Sequence, residues 1–137
     1  MATNIFVNLP VKDLDRSMNF FGQLGYSFNK QFTDETAACM VISDTIYAML
    51  LTEKKFRDFI PGGKQLADAG KSTEVIIALS CESREQVEDL YRKAVAAGGT
   101  GARPPEDHGF MYLRSFNDPD GHIWEVLWMD PAAIQQQ

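Results

Sequence analysis

The chain has 137 residues, enough for one domain or for two small halves sharing a core. Its 45% apolar and 23% charged residues are ordinary for a soluble globular protein. The net charge of −6, with no run of Lys or Arg to neutralise phosphates, argues against nucleic acid as a partner, and no apolar stretch approaches the ~18 residues of a membrane span. The first residues lack a basic region followed by a long apolar run, so no signal peptide is expected and a cytoplasmic location follows. Cys39 and Cys81 each sit in an apolar strand-like run and read as reduced core thiols.

In chain order, residues 5–10 read as a buried strand. Asp13 then opens a helix whose Leu14, Met18, Phe21 and Leu24 recur at helical spacing, and Gly25 ends it as a C-terminal cap. Three extended segments follow, at 26–32, 37–42 and 46–51, with Ser43-Asp44 turning the chain between the last two. Residues 53–70 carry Phe56, Phe59, Pro61 and Gly62-Gly63 and read as a short helix plus a loop. The order then repeats. Residues 75–80 form a strand, and Ser83 with Gln86 three residues on makes a capping box. Val87, Leu90, Tyr91 and Ala94 are the apolar face of the helix, which Gly98-Gly99 ends. A short extended piece near Ala102, a strand over 109–116, the Asp118-Pro119-Asp120-Gly121 turn and a last strand to Trp128 complete the half. The tail 131–137 is expected to fray.

Each half is therefore β-α-β-β-β. The predicted fold is α+β: tandem βαβββ modules (about residues 4–52 and 73–130, linker 53–72) forming a curved mixed sheet around a cleft, with the helices on its outer face. A mostly apolar cleft with a few polar groups is the default ligand site.

This plan, with Leu9-Pro10-Val11-Lys12-Asp13-Leu14-Asp15-Arg16-Ser17 followed by Phe20-Phe21, and with Asp118-Pro119-Asp120-Gly121-His122-Ile123-Trp124-Glu125, resembles the vicinal oxygen chelate superfamily. That group includes glyoxalase I, extradiol dioxygenases, methylmalonyl-CoA epimerase and bleomycin-resistance proteins. The likeness covers about residues 4–130, and the chain looks most similar to small glyoxalase-like proteins labelled predicted lactoylglutathione lyase. Metal-using members hold an ion with side chains at four equivalent strand positions, two per module. The matching positions here are Phe6, Met49 (to within a residue), Ile76 and Glu125. Phe, Met and Ile supply no hard donor, and one carboxylate does not hold a divalent ion against water. The resemblance thus implies a homodimer that binds a small organic ligand, with no metal or other cofactor expected. A metal site rebuilt with His108 or His122 is the disfavoured alternative.

Alternation along the first strand puts Phe6 and Asn8 on the face that points into the cleft of metal-using relatives. Asn8 either bonds locally or meets a ligand. Glu125 shares its face with Ile123 and Leu127; it is either paired with Arg114 or a backbone donor, or serves as an acid or base, since a carboxylate buried without a cation is pushed toward its neutral form. Tyr112 and Arg114 share one face of their strand, and Arg114 is a candidate clamp for an anionic group. The expected ligand-binding set is Phe6, Asn8, Met49, Ile76, Tyr112 and Arg114, with Glu125 as the catalytic candidate. Three functions compete: a metal-free small-molecule binder, a metal-dependent glyoxalase-type lyase, and a metal-free acid/base isomerase using Glu125.

Overall fold

A computed structural model describes residues 2–133. The chain divides into two compact units, residues 1–68 and 69–137, and each carries one βαβββ module. The first runs β1 (Ile5–Val11), α1 (Leu14–Gln23), β2 (Ser27–Asn29), β3 (Ala37–Val41) and β4 (Ile46–Thr52), followed by α2 (Glu53–Arg57). The second runs β5 (Ile76–Cys81), α3 (Arg84–Ala96), β6 (Thr100–Asp107), β7 (Met111–Asn117) and β8 (Ile123–Met129). Each module has an open four-stranded mixed sheet, ordered β1-β4-β3-β2 in one and β5-β8-β7-β6 in the other, with the first and last strands parallel and the others antiparallel. The tandem α+β plan is as expected. No helix of the described residues is long and apolar enough to cross a membrane.

Local chemistry accounts for the element ends. Asp13 caps α1 by accepting from the Arg16 N–H at 3.1 Å, and the chain leaves the helix through Gly25 at φ 106°. The helix buries Leu14, Ser17, Phe20 and Phe21, so the predicted stripe is turned slightly: Phe20 joins it and Met18 is only half-buried. Ser83 caps α3 through the Gln86 N–H at 3.0 Å, while the Gln86 side chain reaches back to the Glu82 N–H at 2.7 Å.

Three boundaries differ from expectation. The second strand stops at Asn29, where the Asn29 side chain accepts from the Gln31 N–H and starts a 3-10 turn over Lys30–Phe32. β6 spans eight residues rather than a short piece. Register shifts on both sides of Arg103 let it carry Pro104 and Pro105 along the sheet edge, where no ladder donor is required of them. At the tail, Pro131–Ala133 form a 3-10 turn; the rest of the expected frayed segment lies outside the described residues.

Each sheet buries one face more fully than the other; on the less covered faces, Cys39 and Leu51 of the first sheet and Leu113 and Ser115 of the second are buried as well. In the first, Leu9, Val11, Met40, Ala48 and Leu50 are all buried, and Phe6 and Asn8 alternate onto the other face with their β4 partners Tyr47 and Met49. In the second, Phe116, Trp124 and Val126 are buried on the face shared with Tyr112, Arg114 and Trp128. The opposite face carries Ile76, Ala78 and Ser80 beside Ile123, Glu125 and Leu127.

Asp118 anchors the turn into β8. Its Oδ1 accepts from the Asp120 and His122 backbone N–H groups and its Oδ2 from the Trp124 indole at 3.0 Å. Burial pushes its carboxyl up from the usual range despite these bonds. Gly121 completes the turn at φ 96°, and a Cβ there would lie 2.8 Å from the Ala69 carbonyl oxygen.

Candidate functional site

The open face of the first sheet holds three of the predicted residues together. Phe6 remains 50% exposed with its ring stacked on Tyr47, centroids 4.8 Å apart and planes at 10°. Asn8 is exposed beside it, bonding the Phe6 carbonyl at 3.3 Å, and its β4 partner is Met49. On the open face of the second sheet, Ile76 is 51% exposed and lies two residues along from Ala78, the register partner of Glu125.

Glu125 is not a lone carboxylate. Arg103 Nη2 donates to its Oε2 at 2.6 Å, and Arg103 Nη1 donates to Glu106 Oε2 at 2.5 Å. His108 Nε2 lies 3.3 Å from the other Glu106 oxygen. The bonds hold Glu106 below the usual carboxylate range, His108 contributing most and Arg103 next. From the sequence, Glu125 is expected to pair with Arg114 or a backbone donor; its partner is Arg103, on the edge strand β6.

Tyr112 and Arg114 lie on the other face of β7, against α3. Glu88 accepts the Tyr112 hydroxyl and Arg114 Nη1, the latter at 2.8 Å, and the Arg114 guanidinium stacks on Tyr91 at 3.6 Å. The Tyr112 hydroxyl, then Arg114, keeps Glu88 below the usual range, and Glu88 in turn raises Tyr112. Arg84 lies over the Tyr112 and Trp128 rings at 5.2 and 5.1 Å and binds both Asp107 oxygens at 3.0 Å. The expected set is therefore split: Ile76 and Glu125 share a face, while Tyr112 and Arg114 tie helix to sheet behind it.

Arg84, Glu88, Arg103, Glu106 and Asp107 join this arrangement without a signature in the local sequence pattern, and so does Ser115. It is fully buried, stands opposite Glu125, and its Oγ has no hydrogen-bond partner among the described residues. An unpaired buried hydroxyl costs about 1–3 kcal/mol.

A divalent ion does not fit these side chains. Among the described residues no group of three or more His, Cys, Asp or Glu is placed to hold one. Glu125, the carboxylate at one of the four positions that the resemblance implies, is already committed to Arg103, which an arriving cation would have to displace. His108 is engaged by Glu106 and His122 lies in the Asp118 turn.

The paired βαβββ modules agree with what comparison with known proteins shows. Residues 5–126 match the family model for the Glyoxalase/Bleomycin resistance protein/Dioxygenase superfamily, and the chain belongs to that family. Among solved structures, it is similar to a hypothetical protein from S. aureus at 27% identity and a TM-score of 0.77, covering 93% of this chain and 94% of the other. A glyoxalase-related enzyme from Fulvimarina pelagi shares its fold at 20% identity and a TM-score of 0.76, over 93% and 88% of the two chains. So does the fosfomycin resistance protein FosX from Listeria monocytogenes, at 16% identity and a TM-score of 0.67, over 93% of each. No curated protein sequence matches the chain.

Proposed function

We propose that this member of the family binds a small, largely apolar organic molecule and works without a resident divalent ion. One observation carries the reading. At two positions where metal-using relatives are expected to present ligands, this chain presents Phe6 and Ile76, and both are half-exposed on open sheet faces rather than packed into the core. Large apolar side chains left in water on a concave or open surface favour contact with an apolar partner. The Phe6–Tyr47 stack offers a flat aromatic surface. The homodimer implied by the resemblance and the cytoplasmic setting expected from the sequence belong to the same proposal.

The test is calorimetric titration of the metal-analysed protein with a panel of aromatic and aliphatic small molecules. A ligand that seats on the Phe6–Tyr47 face should lose about tenfold in affinity to Phe6→Ala, the loss expected from removing a stacked ring. Stoichiometric divalent metal in the purified protein, or binding abolished by a chelator, would overturn the metal-free reading.

A second reading, acid/base turnover of the bound molecule, rests on Glu125. Its side chain is only 14% exposed among Ile123, Leu127 and Ile76. Turnover that survives Glu125→Gln in any assay removes that role.

A further inference from the structure

Ala78, Glu125, Ser115 and Arg103 form one cross-strand row over all four strands of the second sheet. Arg103 and Glu125 stand on the strands that flank β7, so their ion pair crosses above Ser115. A crossing of this kind needs a small side chain beneath it. Alanine meets that need with no polar atom to bury. Serine instead leaves a buried hydroxyl with no partner among the described residues, and buried polar groups are nearly always paired. That hydroxyl gains a use only when the bridge above it is parted.

The charges define what can part it. Arg103 is half-exposed, and two of its five N–H groups are used, on Glu106 and Glu125. One guanidinium against two carboxylates gives the cluster a net negative charge. A carboxylate ligand would take Arg103 but lie against Glu106 and Glu125. An ammonium would take Glu125 but lie against Arg103. An uncharged group with an acceptor oxygen beside an N–H donor suits both ends: its oxygen accepts from Arg103 and from Ser115 Oγ, and its N–H donates to Glu125. Carboxamides carry that pair of atoms. Glu106 keeps Arg103 in place when Glu125 turns to the ligand, and Ile76, Ile123 and Leu127 supply apolar surface for the rest of the molecule.

We propose that the open face of the second module recognises a carboxamide: the amide of an uncharged organic molecule inserts between Arg103 and Glu125 and takes the Ser115 hydroxyl as its third contact. This rests on the small-molecule reading above and names the chemical class of the ligand.

Calorimetric titration of the full chain with benzamide, acetophenone, benzoate and benzylamine tests it, since the last three lack the donor, lack the donor and carry charge, or lack the acceptor. Benzamide should bind about tenfold tighter than each of the others. Arg103→Gln should abolish that preference. Ser115→Ala, which removes a buried hydroxyl without a partner among the described residues and so does not lower the melting temperature, should weaken benzamide about three- to tenfold. Equal binding of benzamide and acetophenone or benzoate, or full benzamide affinity in Ser115→Ala, overturns the inference. If benzamide fails while another molecule binds in a Phe6-dependent way, this inference falls and the small-molecule reading stands; if no organic probe binds, both fall.

Discussion

In the first module α1 buries Leu14, Ser17, Phe20 and Phe21, and its sheet is held almost wholly by apolar packing. In the second, α3 buries only Val87 and Ala94, and it meets its sheet through Glu88, Tyr91 and Arg84. The open faces differ in the same sense. Phe6, Tyr47, Asn8 and Met49 make a neutral surface, whereas Arg103, Glu106 and Glu125 lay an ionic bridge across β7. Strand order and pairing are nevertheless the same in both. A βαβββ topology needs alternating strands and one helix that covers a face; it does not prescribe whether dispersion or charge-assisted hydrogen bonds join them.

The contrast can be broken from either side. Phe21→Ala should have the largest effect, about 3–5 kcal/mol of stability by urea denaturation, because it empties a buried aromatic site; a cost below ~1 kcal/mol would mean that α1 is not held by burial. Glu88→Gln should cost the protein about 1–3 kcal/mol by unpairing Tyr112 and Arg114. Tryptophan fluorescence reads this change in the second module alone, since Trp124 and Trp128 both lie there; an unshifted fluorescence transition would show the cluster to be ornamental.

Acid should act more gently on the same ties. Glu88, Asp89, Glu106 and Asp107 of the second module are held below their usual values, Asp107 at about 2 by Arg84, whereas Asp34 is the corresponding group in the first. A carboxylate depressed in the folded state stabilises fully above its unfolded value of ~4, and that contribution is lost as pH falls toward the folded value. Asp118, raised by burial, has the opposite sign and is favoured by protonation. Tryptophan fluorescence should therefore change between about pH 4 and about pH 2, while burial of the α1 face persists. A flat fluorescence titration over that window would contradict an ionic second module. The smallest effect belongs to Phe6→Ala: within about 0.5 kcal/mol in stability, because the ring is half in water, yet a clear loss in ligand affinity.

Much of this architecture could be read from residue order. Alternation in β1 separated Phe6 and Asn8 from Leu9 and Val11, and burial follows that division. Alternation in β7 likewise grouped Tyr112 with Arg114 and Phe116. It could not say which face meets the helix, because each face of β7 mixes apolar and polar residues, and the two were grouped with Glu125 rather than with Glu88. Glu88 itself was hidden by its neighbours: Val87 and Tyr91 define an apolar stripe, and a carboxylate beside it looks like a solvated helix residue. Arg103 was hidden by Pro104-Pro105, which end the short extended piece expected near Ala102. Only the double register shift in β6 keeps those prolines in an edge strand and aims Arg103 across the sheet. Such a pairing across three strands has no signature in local sequence spacing.

The Asp118 turn bears on how such proteins are recognised. Both of its carboxylate oxygens are consumed by the chain's own N–H groups, one of them from the Trp124 ring, and Gly121 fits against the backbone at Ala69. Asp118, Gly121 and the Trp124 ring are thus engaged inside the module. A sequence can keep the turn through changes of chemistry on the open face at Glu125 and beyond, so inheritance of the turn transmits an architecture and is silent about the reaction.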